Sequence, residues 1–292
     1  MDPYYWIYKP SGDTFPGPDT RELIAGKWYE EWVPNDHTII KGPDKHWHIF
    51  GITHPKTNPA RVHEGEYLSL HAISPETTMA GSLRGHSWTD LPKVLPPSER
   101  DGEKLANHAP YLVQSDNLYY MIYGPSPIRL AISEDLMKWE TKGPLFEEPG
   151  GARDPSLIYF DGQWHMIFCS REEIRMRSSK DLIEWGDSSI TILDMKAGIA
   201  PESPSLIRYN GIFYLFVCGW NGIRNMSDIT GAYQHKTFVF YSKDLQLFDT
   251  INQLTVLDAH APEIFQGEDG SWYISSAEWP NRGVSVSRLI WE

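Results

Sequence analysis

Three carboxylates stand at matching points of a phrase that recurs along the chain. Asp36 lies in PNDHT, Asp154 in ARDPS and Glu202 in PESPS. Cleavage of a glycosidic bond needs one protonated carboxylic acid to donate to the leaving oxygen, and one ionised carboxylate to attack or to activate water from the other face. A third carboxylate beside an arginine can hold sugar hydroxyls and keep the ionisation states of its neighbours apart. Arg153 directly precedes Asp154, so the chain has the residue types for this chemistry.

The phrase occurs five times, and each copy leads through a short turn into an aromatic-rich, strand-like run. Four copies align on a proline as NHAPYLV, ARDPSLI, PESPSLI and AHAPEIF, and the earliest, PNDHTII, has His37 in its place. The prolines at 110, 155, 204 and 262 are 45, 49 and 58 residues apart. Blades of four strands repeat about every 40–50 residues, and the intervening segments alternate apolar and polar residues as strands do.

These repeats predict an all-β fold, a five-bladed β-propeller with four-stranded blades, as a single catalytic domain over residues 1–292. The fifth copy begins near His260 and has only 33 residues left, enough for about three strands. The N-terminal YYWIY is the natural donor of the fourth strand, which would close the ring. A second phrase, S-x-D-L followed by an aromatic residue, ends three copies as a strand and a turn. Helical periodicity is nearly absent, and the best candidate, residues 21–32, is weak.

A propeller brings equivalent positions of its inner strands to one axis, and here those positions differ between copies. The residue before the aligned proline is Asp36, Ala109, Asp154, Ser203 or Ala261, and the one before that is Asn35, His108, Arg153, Glu202 or His260. Any one Asp-Pro or Ser-Pro is an ordinary turn starter. Three carboxylates at matched positions instead predict a shared funnel, in which like charges raise one another's pKa.

The neighbouring residues are predicted to contact the substrate. Asn35 and Arg153 flank the carboxylates in sequence, and His108 and His260 occupy equivalent positions in two copies, which favours contact with the substrate or with a central ion. Trp220 follows the inner strands of the fourth copy, where it would stack on a sugar ring or pack in the core.

The bulk composition excludes some partners. A net charge of −13 argues against nucleic acid and anionic membranes, because binding to phosphate needs a basic surface, whereas a neutral ligand is unaffected. No stretch approaches the ~20 apolar residues of a membrane span. The two cysteines, Cys169 and Cys218, lie in apolar runs and are predicted to be buried free thiols. The start, MDPYYWIYKP, lacks the pattern of a signal peptide. The expected location is cytoplasmic as written, or secreted or periplasmic if a signal was removed.

The motifs resemble those of the five-bladed propeller glycoside hydrolases, notably families 32 and 43. In chain order they are WVPNDHT (32–38), HWHIF (46–50), RDP (153–155), SKDLIEW (179–185), ESP (202–204) and HAPE (260–263). The resemblance implies that Asp36 is the nucleophile or general base and Glu202 the general acid, and that Asp154 with Arg153 orients the sugar. It requires no cofactor, and it allows a structural calcium at the axis. Three features depart from family 32: His37 replaces a proline, Ser203 replaces a cysteine, and no β-sandwich follows, so the lone propeller is more like small members of family 43.

The substrate implied is an oligosaccharide or glycoside with a terminal furanoside, of the β-fructofuranoside or arabinofuranoside type. Family 32 retains the anomeric configuration and family 43 inverts it, and the sequence leaves that choice open. Two alternatives also remain. A glycoside phosphorylase of related fold would need basic residues around phosphate, of which only Arg153 is well placed. A non-catalytic carbohydrate-binding propeller would not need the acids at all. The oligomeric state is not predicted.

Overall fold

The architecture is taken from a computed structural model that describes residues 1–56, 68–85, 87–95, 108–195, 200–220, 233–277 and 283–291, with the backbone alone at residues 68, 220 and 233–235. Twenty strands of this part of the chain form five antiparallel sheets of four strands each, and two short strands form a separate hairpin. The predicted five-bladed propeller with four-stranded blades is therefore confirmed.

The strands follow the chain in blade order. The N-terminal strands are β1 (Tyr5–Tyr8), β2 (Asp13–Thr14) and β3 (Trp28–Tyr29). The first blade is β4 (Trp32–Lys41), β5 (Trp47–Pro55), β6 (Leu68–Ile73) and β7 (Thr89–Asp90). The second is β8 (His108–Ser115), β9 (Leu118–Gly124), β10 (Ile128–Ser133) and β11 (Glu140–Phe146). The third is β12 (Arg153–Phe160), β13 (Gln163–Ser170), β14 (Glu173–Ser179) and β15 (Ile190–Asp194). The fourth is β16 (Ala200–Tyr209), β17 (Ile212–Trp220), β18 (Tyr233–Ser242) and β19 (Gln253–Asp258). The fifth is β20 (Ile264–Gln266), β21 (Trp272–Ala277) and β22 (Val284–Leu289), completed by β1.

The ring is closed by the N-terminal strand, as the sequence predicts. Strand β1 pairs antiparallel with β22, with Tyr5 opposite Val286 and Tyr8 opposite Val284. Ile7 and Tyr8 are almost completely buried between the last blade and the first. Full burial of a side chain of this size stabilises a fold by about 1.5–3 kcal/mol, so the closure is held by packing as well as by backbone hydrogen bonds.

Each pair of neighbouring blades encloses its own apolar cluster, because the strands are apolar on both faces. Between the third and fourth blades, for example, Ile174 packs with Phe213 and Phe240. Cys169 and Cys218 are both buried free thiols, as predicted. The core is therefore divided into five layers around the axis, and the inner strands are held in place from both sides.

The S-x-D-L phrase forms the predicted turn. In the second blade the Ser133 hydroxyl accepts the N–H of Leu136 at 2.9 Å, and Asp135 Oδ1 accepts the N–H of Lys138 at 2.8 Å. Trp139 Nε1 then donates to the Leu136 carbonyl at 3.1 Å. The third blade repeats these contacts at residues 179–185.

The helix candidate at residues 21–32 is not helical in the structure. Its Trp28 and Tyr29 form β3, which pairs with β2, and Leu23 is buried against Phe15 and Trp32. Within the described ranges the α-helical segment is α1 (Met79–Ser82). No helix in those ranges is long and apolar enough to span a bilayer.

A buried ion cluster joins the second blade to the third. Glu148 follows β11, and its carboxylate is 2.9 Å from Arg177 Nη2 and 3.1 Å from Arg175 Nη1, both on β14. The Ser189 hydroxyl donates to the same carboxylate at 2.7 Å. The Glu148 and Arg177 side chains are only 2% and 5% exposed, so each charge depends on the other for compensation.

We expect Glu148→Gln to lower the free energy of unfolding by about 3–5 kcal/mol, because it leaves the buried Arg177 without an anionic partner. Urea denaturation measures the change. The adjacent Glu147 is exposed, and Glu147→Gln is the matched control, with an expected change within about 0.5 kcal/mol. Equal unfolding midpoints for the two variants would contradict the role given to Glu148.

Candidate active site

Every described inner strand that carries the aligned proline leaves its regular ladder at that phrase. The register shifts between His108 and Tyr111 in β8, between Arg153 and Ser156 in β12, and between Glu202 and Ser205 in β16. Strand β4 shifts at the corresponding place, between residues 34 and 37. Such bulges bend a strand and redirect side chains, and they are common beside active sites.

One residue of each proline-containing copy lies in the left-handed backbone region at this phrase. These residues, with their φ angles, are Ala109 (46°), Asp154 (54°), Ser203 (46°) and Ala261 (44°). None is glycine, and a non-glycine residue in this region costs about 1–2 kcal/mol. The same strain therefore recurs at the position where the sequences of the copies diverge.

The bulges bring side chains from different blades to a small axial cavity of about 30 Å³. Its lining includes Asp36, Asp154 and Ser203 from three blades, together with Glu263 from the segment before β20. Asp36 is half-buried and Asp154 is buried. The predicted convergence of the two aspartates on the axis is thus present in the structure.

Ser203 links the two aspartates. Its hydroxyl donates a short hydrogen bond to Asp36 Oδ1, and its backbone N–H donates to Asp154 Oδ2 at 3.2 Å. In the sequence, Ser203 stands out only because it replaces the cysteine of the family 32 motif. The structure gives it a direct part in holding both carboxylates.

Arg153 joins Asp154 to Glu202. Its Nη1 is 2.5 Å from Asp154 Oδ2 and 3.5 Å from Glu202 Oε1, so these two carboxylate oxygens are no more than about 6 Å apart. Its Nη2 donates to the Pro201 carbonyl at 2.8 Å. Burial alone would lower the pKa of Arg153, but the negative charges, chiefly that of Asp154, raise it above its usual value. The arginine therefore stays cationic and connects the third carboxylate to the group at the axis.

The predicted binding residues are placed less uniformly. His260 Nε2 is 3.1 Å from Asn35 Oδ1, which connects the fifth and first blades beside Asp36. His260 is only 2% exposed, so it faces Asn35 more than solvent. His108 begins β8 and is half-buried. The Trp220 side chain lies outside the described part of the chain.

Two residues at the axis were missed as site residues. His37, noted only as a replacement for proline, is buried, and its Nε2 is 2.8 Å from Ser275 Oγ in the fifth blade. Glu263 is 6% exposed and lines the axial cavity. The repeat alignment held a signal for Glu263, because it occupies the position after the aligned proline, where two other copies have serine.

Asp36, Asp154 and the Ser203 hydroxyl meet at the axial cavity, and Arg153 connects Asp154 to Glu202. Such a group can donate a proton, attack or activate water, and grip hydroxyls. Within the described ranges no three His, Cys, Asp or Glu side chains are placed to hold a metal ion. The axial calcium stays a prediction.

Comparison with known proteins finds relatives in fold more readily than in sequence. No family model matches the chain. A curated 1,2-beta-oligomannan phosphorylase from Thermoanaerobacter sp. (strain X514) is 30% identical over 135 residues. That match covers 42% of this chain and 42% of the phosphorylase, so it spans less than half of the relative's length.

Solved structures match over most of the chain. An exo-1,5-alpha-L-arabinanase from a bovine ruminal metagenomic library has a TM-score of 0.64 at 19% identity, over 89% of this chain and 94% of that one. The Cellvibrio cellulosa alpha-L-arabinanase complexed with arabinohexaose has a TM-score of 0.65 at 17% identity, over 89% and 93%.

The Bombyx mori family 32 beta-fructofuranosidase has a TM-score of 0.63 at 17% identity, over 88% of this chain and 60% of its own. A thermostable family 43 glycoside hydrolase matches with a TM-score of 0.64 at 12% identity, over 89% and 91%. The chain therefore has the five-bladed propeller fold found in glycoside hydrolases of families 43 and 32.

Proposed function

We propose that this protein cleaves glycosidic bonds, with Glu202 as general acid, Asp36 as nucleophile or general base, and Asp154 with Arg153 orienting the sugar. The observation that carries the proposal is the chain of contacts that links the three carboxylates through Ser203 and Arg153. A role in a turn explains a single Asp-Pro phrase. It does not explain why carboxylates from three blades are linked to one another.

The contacts suit a division of labour among the carboxylates. Arg153 lies 1.0 Å closer to Asp154 than to Glu202, so its charge is directed mainly at Asp154. Asp154 is thereby fitted to bind rather than to transfer a proton. Glu202 keeps the weaker charge partner and a side chain that is 14% exposed, as a group that must exchange a proton with substrate requires. Asp36 is held by the Ser203 hydroxyl from one side.

For the substrate, we propose a terminal furanoside of the arabinofuranoside or β-fructofuranoside type. The support is similarity of motifs and fold to proteins described as an arabinanase and a beta-fructofuranosidase. The choice between these sugars depends on the side chains in the outer part of the funnel.

Phosphorolysis is the second candidate, because the curated relative is a 1,2-beta-oligomannan phosphorylase. A phosphorylase needs a cationic site for phosphate beside the bond that it cleaves. Arg153 is the cation in the described site, and it already contacts Asp154, Glu202 and a carbonyl. This neutralisation favours hydrolysis over phosphorolysis.

The two reactions separate in one assay. The protein is incubated with aryl furanosides, arabino-oligosaccharides, fructosides and β-1,2-mannobiose, each with and without inorganic phosphate, and the products are followed by NMR. We expect release of free sugar from a furanoside at a rate that phosphate does not change. Formation of a sugar 1-phosphate only when phosphate is added would establish the phosphorylase instead. Binding without turnover of any substrate would contradict both and identify a carbohydrate-binding propeller.

A further inference from the structure

The inner strands carry a second set of equivalent residues, directly after the aligned proline or, in the first copy, after His37. We call the residues that follow the aligned position 37, 110, 155, 204 or 262 the axial ring; they are Thr38, Tyr111, Ser156, Ser205 and Glu263. All five are polar, and four are buried. Tyr111, Ser205 and Glu263 line the same cavity as the aspartates. Glu263 is the one acid in the ring.

Two members of the ring use their side chains to join neighbouring blades. Ser205 Oγ accepts the backbone N–H of Ile264 at 3.1 Å, which ties the fourth blade to the fifth. Glu263 Oε2 accepts the backbone N–H of Ile39 at 2.7 Å, which ties the fifth blade to the first. Inner strands of different blades form no common ladder, so these side chains supply the partners that the strand edges need.

Glu263 lies at the seam where the ring closes, and a second chain of hydrogen bonds runs from it to the segment of Asp36. Its N–H donates to Ser275 Oγ at 3.0 Å, and that hydroxyl is 2.8 Å from His37 Nε2. His37 Nδ1 donates to the Asn35 carbonyl at 3.1 Å.

Burial lowers the pKa of His37 to about 4, so its imidazole is neutral and Nε2 accepts a hydrogen bond from the Ser275 hydroxyl. The residues on both sides of Asp36 are thus anchored to the fifth blade. Through Ile39, Glu263 holds the same strand at a third point.

The charge around Glu263 favours its neutral form. Burial raises its pKa to about 8, against the opposing effects of the Thr38 hydroxyl and the Ile39 N–H. The titratable groups that share its cavity are Asp36 and His37 from β4, Tyr111 from β8, and Asp154 from β12. None of them is a cation, since His37 is neutral. An ionised Glu263 would add a negative charge beside the two aspartates, with no cation among these groups to compensate it.

We propose that Glu263 acts as a neutral carboxylic acid that clasps the first blade to the fifth, and that it is a positioning residue for Asp36. It reaches the reacting groups only through the backbone of β4 and through Ser275 and His37. The positioning role rests on the function proposed above. The neutral state and the clasp do not rest on that function, because they are argued from the burial of Glu263 and from its contact with Ile39 between the two blades.

The neutral state is tested by thermal unfolding of Glu263→Gln and the wild type from pH 5 to pH 9. The folded pKa of about 8 exceeds the ordinary value of 4.5, so the folded protein holds a proton that the unfolded chain releases. The stabilisation is complete below pH 4.5 and is lost as the pH rises to about 8. Glutamine keeps the hydrogen bonds without titrating. We expect the Tm of Glu263→Gln relative to wild type to rise by about 5 °C or more from pH 5 to pH 9.

The exposed Glu184 gives the matched control, because Glu184→Gln makes the same chemical change at the surface, and its Tm should follow the wild type at every pH. Parallel curves for Glu263→Gln and the wild type would overturn the neutral state. This readout needs no substrate, so it stands even if the protein cleaves no glycoside.

The positioning role is tested by kinetics on the substrate found in the assay above. We expect Glu263→Gln to keep kcat within about twofold, whereas Glu263→Leu lowers kcat at least ~10-fold with a small change in KM, since small misplacements of a reacting group cost up to ~10²-fold. Ser275→Ala breaks the link to His37 while leaving the Glu263 carboxyl, and we expect it to lower kcat as well. It takes the place of Glu263→Leu if that variant does not fold. A folded but inactive Glu263→Gln, or full activity in both Glu263→Leu and Ser275→Ala, would overturn the role.

Discussion

Glu202→Gln should lower kcat by about 10²–10⁴ for a substrate with a poor leaving group, the contribution usual for general acid catalysis. The amide has nearly the same shape as the carboxylic acid, but it does not transfer a proton to the leaving oxygen. Its contact with Arg153, at 3.5 Å in the native protein, is a weak one, so the fold should be unchanged. The measurement is steady-state kinetics on an alkyl glycoside, with the Tm as the check on folding.

The leaving group gives this experiment its sharpest control. The dinitrophenolate of a dinitrophenyl glycoside leaves without being protonated. Glu202→Gln should therefore cleave such a glycoside at a rate within about tenfold of the wild type. Equal losses on activated and unactivated substrates would assign Glu202 another role. Unchanged hydrolysis of both would remove it from the mechanism.

Asp36→Asn should lower kcat by a comparable factor, about 10²–10⁴ or more, but on both kinds of substrate. An amide neither attacks the anomeric carbon nor activates water, and an activated leaving group does not replace that function. Asparagine can still accept from the Ser203 hydroxyl, which in the native protein donates to Asp36 Oδ1, so a loss of rate reports chemistry and not collapse of the site.

Ser203→Ala is the matched control for Asp36→Asn. It removes the hydrogen bond that Asp36→Asn keeps and leaves the carboxylate, so its loss of rate should be much smaller. If Ser203→Ala were as damaging as Asp36→Asn, the hydrogen bond would be as necessary for the reaction as the carboxylate itself. With Glu202→Gln and Asp36→Asn both measured on the two kinds of substrate, the general acid and the nucleophile or general base can be assigned separately.

The fold could be predicted from the sequence because the spacing of the repeated phrase matches the length of a four-stranded propeller blade. Repeated X-Pro phrases, strand alternation and a shortened last copy were enough to place β1 beside β22 and to bring Asp36 and Asp154 to one axis. The failed helix candidate at 21–32 shows the opposite case. Gly26 adopts a φ of 76° there, and the burial of Leu23 decides the local structure, which periodicity alone does not reveal.

The contacts between blades were beyond prediction for a physical reason. Ser203 meets Asp36 across 167 positions of the chain, and Glu263 meets Ile39 across 224. The alignment of repeats shows which residues are equivalent, but the hydrogen bonds depend on the direction in which each bulge turns its side chain. For this reason the aspartates were predicted, whereas the links that hold them were not.

The left-handed residues also bear on how such a protein acquires new specificities. Ala109 and Ala261 have the same backbone conformation as Asp154 and Ser203, but their side chains end at the methyl group. Both alanines line the axial cavity, so a small polar side chain at either position would reach the axis from the left-handed conformation that already holds Asp154 and Ser203. Substitution at these two positions is therefore a route by which evolution or enzyme engineering changes the groups at the axis while the strands are kept.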